Sequence, residues 1–441
     1  MIPPKPTPRA DRVSLLGHLR AFRRDILSAQ PARLYRAWMA EFRTPFFESY
    51  LCNDPALVRR VLDGRPGDFP KSSRVTEGLR PLLGRSVFVT NGEEWLRQRR
   101  IIDPAFEGGR VKEAFPAIWA ASEAAVARME PGEVEVELAA SHAAADVIFR
   151  TLFSIPIEDA VAQAVFHEFR AYQHSAPILN LGAFLPLPRW MPRLRRRATL
   201  RAARAIRGLI QGLTAGRAAA IAEGRAPRDL ATKIMTTPDP VTGTPFGTAE
   251  MVDQVAIFFL AGHETSASAL GWALYLLAAN PGAQERVAAE AAALRPEFGV
   301  MGSLRFTRDV FREALRLYPP VPMLVREAAG PEAFRGRQAK RGAQVVISPW
   351  HLHRHERLWE RPDEFDPDRW AGEVPQGAYL PFSRGARVCP GAGFAMLEGT
   401  LMLAHLVRAF RFEALEARAP VPVAHLTVRA RDGIWLRVAR R

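Results

Sequence analysis

The alternation of apolar and polar positions divides the chain into a helical majority and a few short strands. Ile26, Leu27, Leu34 and Trp38 recur at helical spacing and predict a helix from about Asp25 to Phe42, ending before Thr44-Pro45. The aromatic run from Phe46 to Cys52 predicts a strand. Asn53-Asp54-Pro55 then opens a helix whose Leu57, Val58 and Val61 share a face. Residues 113–235 read as alanine-rich amphipathic helices, broken at 176–192, where four prolines stand among apolar residues. That break predicts a loop, either a lid at an access mouth or a buried crossover. A long apolar helix follows, with Thr248 placed to cap it, Glu250 in its first turn and Asn280-Pro281 ending it. Its span of about 31 residues at 1.5 Å each gives about 46 Å, enough to cross a domain. His263 and Glu264 would be costly at the centre of a bilayer, so a helix buried in protein is expected rather than a membrane span. Val345 to Ser348 predicts a strand, and Thr427-Val-Arg429 with Ile434 to Val438 predicts a terminal hairpin turning at Asp432-Gly433. The expected fold is mainly α with a small β-sheet region. Residues 1–20 form a proline-rich tail and 21–441 a single domain.

Composition narrows the function classes. At 441 residues, 48% hydrophobic and 24% charged, the chain can bury a large core. Cys52 and Cys389 are far apart and suggest no disulfide framework. The N-terminus lacks the apolar stretch of a signal peptide, so a cytoplasmic protein without a transmembrane anchor is expected. A net charge of +15 raises the question of nucleic acid. Lysine occurs only at positions 5, 71, 112, 233 and 340, and arginine supplies the other 56 of 61 basic residues, spread along the chain. The one dense cluster, 193–204, has no zinc spacing or interleaved aromatics beside it, and no nucleic-acid partner is expected.

Four stretches carry candidate chemistry. In Phe382-Ser-Arg-Gly-Ala-Arg-Val-Cys-Pro-Gly-Ala-Gly-Phe394, Cys389 lies on a glycine-punctuated turn leading into an apolar helix marked by Phe394, Leu397, Leu401 and Ala404. A lone cysteine is more often a small buried apolar residue. Here Pro390 is preset for the first helical position, and a helix N-terminus favours a thiolate able to ligate metal. In the second stretch, Trp95 and Arg99 share a helical face and offer an indole N–H beside a guanidinium. In the third, Ala261-Gly262-His263-Glu264-Thr265, the Thr265 hydroxyl competes for the Ala261 carbonyl and opens a groove beside two small residues. In the fourth, Glu313 and Arg316 are placed to pair on one helix, a weak signal alone.

Together these motifs, Phe-x-x-Gly-x-Arg-x-Cys-x-Gly above all, resemble the cytochrome P450 family over most of the chain. The resemblance implies haem b with Cys389 as thiolate ligand, between a distal helix carrying Ala261 to Thr265 and a proximal helix after the cysteine. It implies that Phe382 packs near the sulfur and that the backbone at Gly391 approaches it. Trp95, Arg99, Arg326 and Arg387 would reach the propionates, and Ala261 and Gly262 would leave room over the haem. Thr265 would hydrogen-bond dioxygen and Glu264 relay protons. Arg369 would join Glu313 and Arg316 in a structural triad. Phe88, Phe258, Val321, Met323, Leu324 and Leu426 would line an apolar pocket.

The implied activity is insertion of one atom of O2 into a fatty acid, terpenoid or steroid-like substrate. Electrons would come from a ferredoxin or flavodoxin with its reductase, since no flavin or nicotinamide fingerprint is present. Arg97, Arg100 and Arg384 are candidates for docking that donor, and a monomer is expected. Two alternatives remain at this stage, a peroxide-dependent peroxygenase and a non-catalytic haem sensor. The acid–alcohol pair Glu264-Thr265 speaks against both.

Overall fold

The computed structural model describes all residues except 12, 45, 46, 108 and 176–196. The expected loop at 176–192 therefore lies outside the described residues. The helices that matter for the site are α1 (Leu15–Arg24), α2 (Pro55–Arg59), α3 (Ser73–Leu83), α4 (Gly92–Ile102), α5 (Phe115–Arg128), α6 (Val136–Phe153), α7 (Ala160–Ser175), α8 (Arg197–Ala222), α9 (Thr248–Ala278), α10 (Pro281–Ala291), α11 (Arg305–Leu317) and α12 (Ala392–Ala409). The mainly α reading with small sheets agrees with this order.

The long helix α9 is the axis of the fold. It packs against α6, α8, α11 and α12. From Leu270 to Ala278 every residue is buried, and all but Gly271 belong to a cluster shared with α5, α11 and α12. Its N-terminal half joins a second cluster with Phe149, Leu152, Phe169 and Ile206. A helix apolar on all sides needs cover on all sides, and these neighbours supply it. Gly247 rather than Thr248 is its N-cap, and the Glu250 carboxylate reaches back to the Gly247 N–H at 2.9 Å.

The principal sheet brings distant segments together. Strands β1 (Met39–Thr44) and β2 (Phe47–Cys52) form an antiparallel pair. β4 (Leu324–Glu327), the small hairpin β5 (Glu332–Phe334) with β6 (Arg337–Ala339), and β7 (Gln344–Ile347) come much later in the chain. The four-stranded order is β1-β2-β7-β4, with β2 and β7 parallel and Ser49 opposite Gln344. A parallel pair requires a crossover, here about two thirds of the chain.

Two expectations fail in physically readable ways. The helix predicted from Asp25 to Phe42 is a short 3-10 turn, Ala32–Tyr35, followed by β1. Pro31 lies inside the supposed helix and has no N–H to give it. Helix α1 instead lies earlier and begins inside the proline-rich stretch. That stretch is itself docked: the Phe365 N–H donates to the Met1 carbonyl at 3.0 Å and the Tyr318 hydroxyl to the Pro4 carbonyl at 2.7 Å. The predicted terminal hairpin does not form, although its turn is real. β10 (Val428–Ala430) pairs with β9 (Pro422–Ala424), whereas β11 (Trp435–Arg440) lies between β3 (Gly132–Glu135) and β8 (Phe410–Ala414). Leu436 and Val438 thereby bury one face against α-helical core, a gain that a two-stranded hairpin alone would not provide.

Candidate active site

The Cys389 turn is held by its backbone. The Cys389 N–H donates to the Phe382 carbonyl at 2.9 Å, closing the loop on itself. Gly385 has φ +70°, and a Cβ there would lie 2.3 Å from the Leu62 carbonyl oxygen, so only glycine fits the turn against that segment. Helix α12 starts at Ala392 with Gly391 as N-cap, leaving Pro390 ahead of the helix rather than at its first position. Cys389 is solvent-exposed as a residue, but its thiol sits deep among surrounding protein atoms. That burial pushes the thiol pKa up, opposed by the Gly391 N–H and the Arg99 charge. The thiolate expected from a helix N-terminus is therefore not favoured by the protein alone; a bound cation would tip the balance.

Above this turn, cations converge with few acids among them. Around the buried Trp95 ring lie Arg387 at 5.0 Å, Lys71 at 5.4 Å and Arg99 at 6.0 Å from its centroid. Arg326, on β4, is buried beside them. Burial and the charges of Arg326, Arg387 and Arg99 drive the Lys71 pKa down to about 6. Burial followed by Arg387 lowers Arg326 to about 10. Among the described residues, the buried Nε atoms of Arg326 and Arg387 have no hydrogen-bond partner. Such atoms are costly unless a ligand satisfies them, and a group with two carboxylates fits both the charge and the orphaned donors.

Arg99 also has a structural part. Its Nε pairs with Asp103 at 2.9 Å and its Nη1 donates to the Val388 carbonyl at 2.7 Å, tying α4 to the cysteine turn. Lys71 was missed by sequence reasoning. Its Nζ donates to the carbonyls of Val87 and Thr90, fixing the loop that carries Phe88. The available signal was the choice of lysine, next to a helix start, in a chain that otherwise uses arginine.

On the other side, Thr265 donates its hydroxyl to the Ala261 carbonyl at 2.5 Å, the competition expected from the sequence. Ala261 is exposed in a helix whose other faces are covered, so its methyl borders open space. Gly262 does not add to that space: a Cβ there would lie 2.3 Å from Ile148 Cδ1, so the glycine admits α6 rather than a cofactor. Glu264 is buried and turned toward the C-terminal strands, accepting from Arg429 Nη2 at 2.6 Å and from the Thr427 hydroxyl. His263, burying itself against Ser141 at 2.6 Å, has its pKa taken down to about 3 and is neutral.

The triad is assembled. Arg316 and Glu313 are fully buried and joined by two hydrogen bonds of 2.9 and 2.8 Å, and Arg369 Nε reaches Glu313 Oε1 at 3.0 Å. Arg316 also donates to the carbonyls of His353, Pro362 and Glu364. These contacts tie α11 to the segment preceding the cysteine turn.

The expected pocket residues are brought together in part. Phe258 meets Phe106 in a tilted contact at 5.8 Å between ring centroids and packs with Leu426 on the second core cluster. Met323 packs on the first cluster and Leu324 on that of the principal sheet. Val321 is half-buried, and Phe88 is exposed. The three candidate docking arginines are already paired. Arg97 holds Glu250, Arg100 holds Asp239 and Glu93, and Arg384 holds Asp63.

A cysteine on a glycine turn, a cluster of buried cations suited to a dicarboxylate and a helix with a Thr–carbonyl bond are the parts that a haem-thiolate protein requires. Residues 28–435 match the family model described as Cytochrome P450, and the chain belongs to that family. It is therefore an oxidoreductase whose cofactor is haem b with a cysteine thiolate ligand, and which uses O2 and external electrons to oxygenate a hydrophobic substrate. It is similar to cyclooctat-9-en-7-ol 5-monooxygenase of Streptomyces melanosporofaciens, at 33% identity over 93% of this chain and 89% of that one. Cyclooctatin synthase of the same organism is 34% identical over 83% and 81%. Cytochrome P450 4A14 of Rattus norvegicus is 30% identical over 88% and 81%. Among the described residues, no helix is long and apolar enough to cross a membrane.

Proposed function

We propose that this chain hydroxylates a bulky apolar substrate of terpenoid type, with Cys389 as the haem ligand. The observation that carries the substrate class is the chemistry of the expected lining: Phe88, Phe258, Val321, Met323, Leu324 and Leu426 include no charge that would anchor a fatty-acid carboxylate. The substrate in the name of the Streptomyces monooxygenase, cyclooctat-9-en-7-ol, is likewise an alcohol without a carboxylate, which supports this reading.

Bound through Cys389 and its propionates, haem supplies the oxidising chemistry, since thiolate ligation favours O–O cleavage. Lys71, Arg326 and Arg387 would hold the propionates, with Trp95 packed between them, and Arg99 would brace the cysteine turn. Phe382 shields the turn whose carbonyl holds the Cys389 N–H. Thr265 spends its own proton on the Ala261 carbonyl, so its oxygen lone pairs face outward as acceptors and the hydroxyl passes a proton by rotating. Glu264 is the nearby acid that supplies it. Residues 21–441 act as one catalytic domain, in a cytoplasmic monomer reduced by a ferredoxin or flavodoxin. Arg97, Arg100 and Arg384 are each held in ion pairs, so a docking donor would meet them in fixed positions.

The test is a binding and turnover series on the recombinant holoenzyme. Cyclic terpene alcohols should give type I spectral shifts and products carrying one oxygen from isotopically heavy dioxygen, with a ferredoxin–reductase pair. Tighter binding of straight-chain fatty acids would overturn the substrate class, and faster turnover with peroxide alone would overturn the use of dioxygen.

A further inference from the structure

The polar run of α9 spends its side chains in different directions. His263 goes to Ser141 on α6, Thr265 to its own helix at Ala261, and Ser266 to Glu398 on α12 at 2.9 Å. Glu264 and Ser268 are four apart, so they share a face, and both go to the C-terminal segment around β10. Glu264 accepts from Thr427 and Arg429, which lie two apart on one side of that segment. Ser268, only 1% exposed, donates to the Val428 carbonyl at 2.5 Å. A serine inside a helix has the carbonyl one turn back as its ready partner. Ser268 instead bonds a carbonyl 160 positions away.

β10 needs such holds. It has three residues and pairs with β9 alone, and a two-stranded ribbon is marginal by itself. Val428 stands opposite Ala424 in that pair, and its backbone ties the pair to the rest of the protein. Its N–H donates to the Pro320 carbonyl at 2.9 Å, and its carbonyl accepts from Ser268. Three segments therefore meet at one residue. One is α9, with Phe258 and Ala261; another follows Pro320, with Val321 and Met323; the third precedes Val428, with Leu426. Each carries expected pocket lining. Of these two bonds at Val428, the one from Ser268 comes from a side chain, so a substitution can remove it and leave the backbone intact.

We infer that Ser268 is a positioning residue for selectivity. Its bond to Val428 sets how far the wall at Leu426 stands from α9, and so which C–H bond of the substrate is presented for oxidation. A misplacement of about 1 Å, even from a change remote from the chemistry, costs about a hundredfold in rate. Competing C–H bonds share one pocket, so the ratio of their products reports such a shift directly. Ser268 acts through Leu426 and not by touching the substrate. This rests on the reading of Leu426, Val321 and Met323 as pocket lining.

The experiment uses wild type, Ser268→Ala, Leu426→Ala and the double variant as holoenzymes, with a ferredoxin–reductase pair and one cyclic terpene alcohol that gives a type I shift. Alanine favours a helix, so Ser268→Ala keeps α9, and an intact ferrous–carbonyl band checks the fold. The ratio of regioisomeric products is read by chromatography with mass detection. Ser268→Ala should move that ratio by about two- to tenfold, the range that one net hydrogen bond supports. In the Leu426→Ala background the same change should move it no further, because the side chain it positions is gone.

Hydrogen exchange gives a readout independent of turnover. Amides of residues 426–430 should exchange faster in Ser268→Ala than in wild type, and unchanged exchange would count against the bond as the hold on that wall. An unchanged product ratio in Ser268→Ala overturns the inference, even if the melting temperature falls, since that is the mark of a merely structural serine. Additive shifts in the double variant overturn it as well. A Leu426→Ala enzyme with the wild-type ratio overturns the pocket reading beneath it, and the two failures are distinct.

Discussion

Replacing Glu313 by glutamine should be as damaging as replacing it by alanine. Glu313 is fully buried and accepts four hydrogen bonds: from Arg316 Nε at 2.9 Å, Arg316 Nη2 at 2.8 Å, Arg369 Nε at 3.0 Å and the Asp366 N–H at 3.0 Å. Every neighbour is a donor. A glutamine of the same shape must point its NH2 at one of them, whichever way the amide is flipped. It also leaves Arg316, itself fully buried, with only carbonyl partners for its charge. Breaking a buried pair from one side costs about 3–5 kcal/mol. Unfolding entropy of about 2.1 cal/mol/K per residue, over 441 residues, is about 0.9 kcal/mol/K, so the melting temperature should fall by about 3–5 °C. The assay is calorimetry of the holoenzyme at one fixed scan rate, because large cofactor proteins unfold with rate-dependent midpoints. Arg286→Ala is the control. It removes an exposed pair with Asp368, worth about 1 kcal/mol or less, and should shift the midpoint by about 1 °C at most. If Glu313→Gln melts no lower than that control, the argument from buried donors is wrong.

Other outcomes follow from the site. Cys389→Ser should lose the strongly red-shifted ferrous–carbonyl Soret band, measured by difference spectroscopy. Thr265→Ala should retain haem while product per electron falls about tenfold and peroxide release rises, because a positioned proton donor contributes at least that much. Lys71→Met should weaken haem retention, read as haem transfer to an apo-acceptor protein. Lys71 lies near neutral charge above pH about 6 without a ligand. Binding a dicarboxylate should recharge it, so haem loading of wild type in weak buffer at neutral pH should take up a proton that the Met variant does not.

The legible parts of this protein are those set by short-range rules. The cysteine turn, the long helix with its Thr265–Ala261 bond and the Glu313–Arg316 pair each depend on residues within a few positions, and their spacing announced them. What failed depended on partners far away. The turn at Asp432-Gly433 was visible, but β11 found a better apolar face between β3 and β8 than a local hairpin offered. The helix from Asp25 failed for a local reason that periodicity hid, the proline at position 31. Lys71 and the orphaned Arg326 acquire meaning only when the sheet sets them beside Trp95, and no spacing in the sequence encodes that meeting. Gly262 shows the opposite error, a small residue credited with opening space that a neighbouring isoleucine fills.

The parallel pairing of β2 with β7 has a consequence for how the protein is made. Ser49 meets Gln344, 295 positions later. At roughly 5–20 residues per second, a ribosome needs about 15–60 s to supply that partner. For all of that interval the β2 edge is exposed and prone to pair elsewhere. Lys71, Trp95 and Arg99 likewise wait for Arg326 and Arg387. Cofactor capture is thus confined to the last stage of synthesis or after it, and haem supply and chaperone occupancy at that moment should govern the yield of active protein.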